Sequence, residues 1–264
     1  MDRWKGCVAV VTGASSGIGR KLVDKLLAHG MKVAGLARRC EKPVEEAVGE
    51  GSFHPIPCDL RNEGDIVAAF KAIETNIGPV SVLVNNAGLL YNEPIIDGQT
   101  DTFRSLLDVN VLAVAICTRE ASQSMRRHRL AGHIVNVNSM AGHDAARIKS
   151  TVSLYCASKY AVAGVTESLR NELFNSQPSI KVSSISPGTV RTDMVRVAFD
   201  MPRDYFESAP YLEPEDVADA IVYILGAPPH VQVSDPLASF GANKTISARV
   251  AMVNELILKH VREP

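Results

Sequence analysis

The fold of this chain is decided by one stretch near its start, Thr12-Gly13-Ala14-Ser15-Ser16-Gly17-Ile18-Gly19. It follows the apolar run Cys7–Thr12, which is typical of a strand buried on both faces. It leads into Ile18–His29, where apolar residues recur at helical spacing. Small residues let a backbone approach a pyrophosphate, and a helix N-terminus offers unpaired N–H groups and a positive dipole end. A plain turn needs only one or two glycines, so the stretch predicts a phosphate-binding loop.

Strands and helices alternate along the rest of the chain. Apolar runs predict further strands at Met31–Ala37, Phe53–Cys58, Ser81–Asn85, His133–Asn138 and Lys181–Ser186. Helical spacing predicts helices at Asp65–Ile77, Thr100–Arg127, Ser153–Asn175 and Pro214–Leu225. Such alternation implies parallel β-α-β units with right-handed crossovers. The predicted fold class is therefore α/β, a single doubly wound parallel sheet of the Rossmann type with helices on both faces and ligands at the carboxyl ends of its strands.

Composition excludes several classes of function. Hydrophobic residues make up 46% of the 264 residues and charged residues 22%, as in ordinary soluble proteins. The net charge of −1 gives no electrostatic case for nucleic acid. Apolar runs such as Val111–Cys117 are far too short to span a membrane. The five cysteines lack C-x-x-C spacing and a partnering histidine pattern, which favours free thiols, no metal site and a cytoplasmic location.

One domain is expected over residues 1–240, followed by a helical tail over 241–264. Within the domain, Arg191–Glu213 is an irregular stretch large enough to be a lid over the substrate. The tail is predicted as a helix over Ser247–Val261 because its apolar residues share one side. These are Val250, Val253, Leu256, Ile257 and Val261.

Several further motifs stand in register with the predicted strands. They are Asn85-Asn86-Ala87-Gly88 after the fourth strand, Asn110 in the helix that follows, Ser139 at the end of the fifth strand, Tyr155-x-x-x-Lys159, and Pro187-Gly188 after the sixth strand. Together with the T-G-x-x-x-G-x-G loop, they make the chain resemble the short-chain dehydrogenase/reductase family over about residues 5–235. Ile116–Glu120 and Asn136–Met140 resemble the branch that contains the insect farnesol dehydrogenases. The resemblance implies an oxidoreductase that moves a hydride between a nicotinamide and an alcohol/carbonyl pair.

The catalytic residues are predicted from spacing and from this resemblance. Tyr155 and Lys159 are four apart on a helix and therefore share a face. A tyrosine with a pKa of about 10 is a poor base at neutral pH, and a nearby ammonium is expected to lower that pKa. The resemblance adds that Lys159 holds the nicotinamide ribose and that Ser139 hydrogen-bonds the substrate oxygen, so that Ser139 and Tyr155 contact substrate. It also implies that Asn110 holds a water of the proton relay.

The chain departs from the family pattern in one respect at the serine, although Ser139 is still the only hydroxyl at the end of the predicted fifth strand. Ser139 and Tyr155 are 16 residues apart, slightly more than is usual in the family. The extra residues fall in His143–Ser153, a loop that is expected to border the substrate pocket. Other hydroxyls in or beside that loop remain alternatives to Ser139, namely Ser150, Thr151 and Ser153.

The end of the second strand predicts the cofactor. A sheet that binds NAD usually carries an acid there for the ribose 2′-OH, but no acid precedes Glu41. Arg38 and Arg39 stand in its place, and guanidinium suits a 2′-phosphate, so NADP is expected; a solvated loop is the alternative. Through the resemblance, the expected cofactor-binding positions are Gly13, Ser15, Ser16, Gly17, Ile18, Gly19, Arg38, Arg39, Asp59, Leu60, Asn86, Ala87, Gly88, Tyr155, Lys159, Pro187, Gly188, Val190 and Thr192.

Apolar residues flank the expected mouth of the pocket. They are Leu89, Leu90, Tyr91, Met194, Val195, Val197, Phe199, Met201, Tyr205, Phe206 and Tyr211. An apolar lid favours a lipophilic alcohol or ketone, such as an isoprenoid alcohol like farnesol, a retinoid-like or a steroid-like molecule. Packing of these side chains onto the domain is the alternative.

Two rival functions and an oligomeric state follow from the same residues. A sugar-nucleotide epimerase also uses Y-x-x-x-K, but the spacing of Gly13, Gly17 and Gly19 argues against it. A non-catalytic NADP-binding sensor or scaffold is the second rival, and the intact catalytic residues argue against it. The two longest helices are apolar around more of their circumference than one sheet covers. A homodimer or homotetramer is therefore expected, with these helices at the interface.

Overall fold

A parallel sheet forms the centre of the protein. The computed structural model describes residues 1–39, 50–176, 179–201, 211–234, 237–239, 252–253 and 257–260. The central strands are β1 (Val8–Thr12), β2 (Lys32–Ala37), β3 (Ser52–Pro57), β4 (Val80–Asn85), β5 (His133–Val137) and β6 (Lys181–Pro187). They are hydrogen-bonded in the order β3-β2-β1-β4-β5-β6, all parallel. The predicted doubly wound sheet is therefore confirmed.

Helices cover both faces of this sheet. They are α1 (Gly17–Ala28), α2 (Glu63–Asn76), α3 (Thr100–Leu107), α4 (Ala113–Arg127), α5 (Tyr155–Ser176), α6 (Asp193–Ala198) and α7 (Pro214–Gly226). Side chains alternate across a strand, so β1 contributes to two cores. Ala9 and Val11 pack with buried residues of α1 and α7, whereas Val8 and Val10 pack with those of α2 and α4. Both faces are therefore dry, which explains the continuous apolar run in β1.

The helix predicted over Thr100–Arg127 is interrupted. A π-helical turn, Asp108–Leu112, separates α3 from α4. Asn110 lies in this turn, and its side chain is almost fully buried. Its Oδ1 accepts from the backbone N of Leu89 at 2.7 Å, and its Nδ2 donates to the Leu89 carbonyl at 3.0 Å. Single-turn π bulges often occur at functional sites, and this one is held by contacts that apolar periodicity does not report.

The predicted helix over Ser247–Val261 is wrong at the residues that the structure describes. Ile257–His260 forms strand β10, which pairs antiparallel with β7 (Val231–Ser234). Met252–Val253 forms β9, which pairs antiparallel with β8 (Leu237–Ser239), itself beside β6. Backbone partners distant in sequence override a local helical period in a segment rich in β-branched residues. The rest of this predicted helix lies outside the described residues.

The predicted lid is only partly irregular. It contains the short helix α6, and its ends approach each other through a bridge between Val190 and Leu212. Two of the predicted lid aromatics, Tyr205 and Phe206, lie outside the described residues. Among the helices of the described ranges, none is long and apolar enough to cross a membrane. The cysteines in the described ranges, Cys7, Cys58, Cys117 and Cys156, are all free thiols.

Candidate active site

A cleft of about 370 Å³ opens at the carboxyl ends of the parallel strands. The strand order reverses between β1 and β4, and open α/β sheets bind ligands at such a switch point. Most predicted cofactor positions line the cleft, namely Gly13, Ser15, Ser16, Gly17, Ile18, Arg38, Asp59, Leu60, Asn86, Ala87, Gly88, Tyr155, Lys159, Pro187, Gly188, Val190 and Thr192. Gly19, Arg39 and Asn110 are not among the described residues that line it.

The glycine loop packs closely against the loop that follows β4 and against the start of α1. Gly13 has a φ of +68°, and a β-carbon there would stand 2.9 Å from the Cα of Ala87. A β-carbon at Gly19 would stand only 2.3 Å from the Gly13 carbonyl oxygen, so Gly19 acts through packing rather than by lining the cleft. The residue before α1, Ser16, makes no side-chain cap to the helix, whereas Asn62 caps α2 by accepting from Gly64 N. This open helix N-terminus fits a pyrophosphate.

Hydrogen bonds at Thr12 join the ends of β1 and β4. The Thr12 hydroxyl accepts from the backbone N of Asn86 and of Ala87, each at 3.0 Å. The Asn86 side chain also donates, from Nδ2 to the Thr12 carbonyl at 2.8 Å. These bonds fix the two loops that line the middle of the cleft.

The predicted catalytic side chains meet at the other end of the cleft. Ser139 precedes a 3-10 turn, Met140–Gly142, and its hydroxyl is hydrogen-bonded to that of Tyr155. Tyr155 is the first residue of α5, so its ring projects from the helix start into the cleft. Lys159 follows one turn later, is 6% exposed, and its Nζ donates to the Val137 carbonyl at 2.9 Å. The Nζ lies 5.7 Å from the centre of the Tyr155 ring.

Asn110 is connected to Tyr155 through Ser158. Its Nδ2 also donates to Ser158 Oγ at 3.0 Å, and that hydroxyl donates to the Tyr155 carbonyl at 2.7 Å. A β-carbon at Gly88 would stand 3.5 Å from Asn110 Oδ1 and 4.0 Å from Lys159 Nζ. The missing side chain of Gly88 thus leaves space that faces both polar atoms.

The electrostatics of the two catalytic groups differ from the expectation. Burial raises the pKa of Tyr155, although the hydrogen bond from Ser139 opposes this shift. Burial also lowers the pKa of Lys159 to about 8. The expected lowering of the tyrosine pKa by Lys159 is therefore wrong in this structure, where desolvation dominates and Nζ bonds to Val137. At neutral pH Tyr155 is a neutral phenol.

The serine alternatives lie elsewhere. Thr151 Oγ1 donates to Asn92 Oδ1 at 2.7 Å, Ser150 is exposed, and Ser153 is buried. Ser139 lines the cleft, and the three alternatives are not among the described residues that do so. The geometry therefore favours Ser139.

The end of the cleft beside β2 contains an ion pair that the sequence did not predict. Arg38 lines this end, as expected, whereas Arg39 is exposed and lies outside it. Arg61 binds the Asp59 carboxylate with Nε 3.0 Å from Oδ1 and Nη2 2.5 Å from Oδ2. The hydrogen bond from Arg61 holds the pKa of Asp59 at about 2. The i, i+2 spacing of the two residues was the only signal for this pair.

Other lining residues were missed because sequence motifs do not mark them. Most of them end a strand or follow it directly, and the carboxyl-end rule alone would have included them. They are Leu36, Ala37, Cys58, Val109, Val137, Asn138 and Asp193. Of the predicted apolar residues, Leu89, Tyr91, Met194 and Val195 line the cleft.

Comparison with known proteins gives the same picture over most of the chain. The family model described as short chain dehydrogenase matches residues 7–203. The chain is 45% identical to dehydrogenase/reductase SDR family member 11 of Gallus gallus over 247 residues, covering 89% of this chain and 96% of that protein. It is 43% identical to farnesol dehydrogenase of Aedes aegypti over 244 residues, with 89% and 96% covered.

A solved structure agrees in fold. The alcohol dehydrogenase of the archaeon Thermococcus sibiricus, complexed with 5-hydroxy-NADP, is similar with a TM-score of 0.72 and 25% identity. The alignment covers 88% of this chain and 95% of that one. The phosphate loop, the switch-point cleft and the Ser139–Tyr155–Lys159 group thus occur together in a chain whose relatives are short-chain enzymes. The protein belongs to the short-chain dehydrogenase/reductase family and is a pyridine-nucleotide-dependent oxidoreductase.

Proposed function

We propose that the protein is an NADP(H)-dependent alcohol dehydrogenase or carbonyl reductase that acts on a lipophilic alcohol/carbonyl pair. The observation that carries this proposal is the hydrogen-bonded Ser139–Tyr155 pair, beside buried Lys159, in a cleft at the switch point of the sheet. A bound nicotinamide dinucleotide supplies or accepts the hydride. The protein's own residues then have to orient the carbonyl and move one proton.

Tyr155 is the proton donor in the reductive direction. Its raised pKa keeps the phenol protonated at neutral pH, so a proton is available to the carbonyl oxygen as it becomes an alcohol. Ser139 bonds to the tyrosine hydroxyl and is placed to hydrogen-bond that same substrate oxygen. Lys159 has three N–H donors and gives one to Val137, which leaves two for the nicotinamide ribose. Asn110 and Gly88 border the space through which a water would continue the relay.

NADP is favoured over NAD by the charge at the end of β2. Arg38 lines the cleft there, where an NAD-binding sheet usually carries an acid. The relative from Thermococcus sibiricus was solved with an NADP derivative, which supports the same choice. An arginine fork binds phosphate through charge and paired N–H donors.

The lipophilic character of the substrate is proposed from the cleft wall. Leu89, Tyr91, Met194 and Val195 line the cleft with Tyr155. Farnesol dehydrogenase of Aedes aegypti is among the similar proteins, which favours an isoprenoid alcohol such as farnesol within this class. Retinoid-like and steroid-like alcohols share the same chemistry and belong in the same substrate panel.

We also propose that two copies pair through the outer faces of α4 and α5. Large apolar side chains on and beside these helices are exposed in one protomer, including Leu112 and Phe174. Phe174→Glu should therefore weaken the dimer, because it places a charge in an apolar interface. Sedimentation velocity at micromolar concentration measures this, with Val67→Glu, on α2, as the matched surface control. An unmodified protein that sediments only as a monomer would contradict the proposal.

Tyr155→Phe should lower kcat by roughly 100- to 10,000-fold, the usual contribution of a general acid–base group. Its affinity for NADPH should stay nearly unchanged, because the phenol oxygen moves the proton but is not a main anchor for the dinucleotide. Turnover with a panel of lipophilic alcohols and ketones, together with NADPH fluorescence titration, measures both effects. Tyr160→Phe is the matched control, since the Tyr160 hydroxyl bonds to the His143 carbonyl outside the cleft. Near-normal activity of Tyr155→Phe would refute the catalytic assignment.

Arg38→Asp should abolish or reverse the preference for NADPH. A hydrogen bond to a charged partner contributes about 1.5–3 kcal/mol, which corresponds to roughly a 10- to 100-fold preference in the unmodified protein. The new carboxylate repels the 2′-phosphate and accepts from a free 2′-OH. The measurement is kcat/KM for NADPH and NADH at fixed ionic strength. Arg39→Asp should keep the order because Arg39 lies outside the described cleft lining; equal use of both cofactors by the unmodified protein would defeat the NADP proposal.

Lys159→Met should abolish turnover and stabilise the fold at pH 7. The unfolded chain keeps the lysine proton up to pH 10.5, whereas the folded protein loses it above about 8. Below pH 8 the folded protein therefore carries the full cost of a buried charge, up to about 3 kcal/mol, and this cost disappears as the pH rises through 10.5. The measurement is urea unfolding at pH 7 and at pH 10, where the advantage of methionine should shrink. Lys71→Met, at an exposed position of α2, is the control, and a methionine variant at position 159 that is less stable at pH 7 would refute the account.

A further inference from the structure

The Asp59–Arg61 pair occupies the adenine end of the cleft, next to Arg38. Both oxygens of Asp59 face the same guanidinium, and the backbone N of Arg61 also donates to Asp59 Oδ1 at 3.0 Å. Both side chains line the cleft. The positive charge of Arg38 also lowers the pKa of Asp59. Asp59 is therefore influenced by two cations, Arg61 through hydrogen bonds and Arg38 through its charge, at the place where the adenosine part of the cofactor is proposed to bind.

Further charged groups lie near this pair. Asp65 Oδ2 accepts from the Asp59 backbone N at 3.2 Å, and Asp108 acts on Arg61 from the π-helical turn. Tyr91 also interacts electrostatically with Arg61. This neighbourhood thus contains three carboxylates, Asp59, Asp65 and Asp108, and two arginines. If Arg61 were neutral, Arg38 would be the one described cation lining this end, and it would have to compensate Asp59 as well as any phosphate bound there.

We propose that Arg61 is a specificity-determining residue, because it neutralises Asp59 and so allows the cleft to accept the 2′-phosphate that Arg38 binds. This inference rests on the proposed preference for NADP. A 2′-phosphate carries close to two negative charges, whereas the 2′-OH of NAD is neutral. An uncompensated carboxylate within a Debye length, about 8–10 Å, therefore penalises the first ligand much more than the second. Arg61 thereby acts on the choice between the cofactors rather than on hydride or proton transfer.

Calorimetry with two cofactor fragments isolates this effect from catalysis. 2′,5′-ADP carries the 2′-phosphate and 5′-ADP lacks it, so the ratio of their Kd values reports on that phosphate alone. Arg61→Gln keeps most of the side-chain length and a donor for Asp59 but removes the charge. The Kd of 5′-ADP divided by that of 2′,5′-ADP should fall about tenfold in this variant. The reason is that 2′,5′-ADP binds more weakly, whereas the Kd of 5′-ADP stays nearly unchanged. In Asp59→Asn/Arg61→Gln most of the ratio should return, because the carboxylate that Arg61 neutralised is gone.

Three results would overturn the inference. If Arg61→Gln weakens both fragments equally, Arg61 only shapes the loop. If neither Kd changes in Arg61→Gln, the charge of Arg61 is irrelevant to binding at this end of the cleft. If the double variant stays as poor as Arg61→Gln, neutralisation of Asp59 is not the mechanism. An unmodified protein that binds 5′-ADP as tightly as 2′,5′-ADP would instead refute the proposed NADP preference itself, and the role of Arg61 with it.

Discussion

The Thr12 hydroxyl is the contact on which the rest of the site depends. It accepts two backbone N–H groups, from Asn86 and Ala87, and so locks the end of β1 to the end of β4. The strand order reverses between these two strands, and the crevice opens there because the chain leaves them in opposite directions. The lock brings the β4 loop so close to the phosphate loop that Gly13 has no room for a β-carbon. The glycine motif is thus a steric consequence of this contact as well as a means of binding phosphate.

Hydrogen bonds and one short stretch of backbone connect Thr12 to Tyr155. The β4 loop continues from Asn86 to Leu89, whose N–H and carbonyl are both bonded by Asn110. Asn110 then bonds to Ser158, and Ser158 bonds to the Tyr155 carbonyl at the start of α5. The π-helical turn is the local distortion that turns the Asn110 amide toward both partners. Hydride transfer needs reacting groups held in one geometry, and this network fixes the tyrosine relative to the phosphate loop through polar contacts rather than through apolar packing alone.

Local patterns in the sequence were sufficient for the sheet, the phosphate loop and the Ser139–Tyr155–Lys159 group. These features are formed by residues that are neighbours along the chain or that end successive strands. The π-helical turn and strand β10 were not predictable in this way, since tertiary hydrogen bonds decide both. The pKa direction of Tyr155 was also missed, because spacing shows that a lysine is near but not how deeply both groups are buried. Arg61 was missed because a charged residue in a loop looks solvated until its partner is seen.

The two ends of the cleft use charge in opposite ways. At the end of the cleft beside β2, Arg38 is exposed and the Asp59–Arg61 ion pair is partly exposed, so these charged groups are accessible to a ligand. At the catalytic end burial moves both titratable groups toward their neutral forms, Tyr155 upward and Lys159 downward in pKa. Solvated charges and desolvated titratable groups therefore occupy separate parts of one cleft.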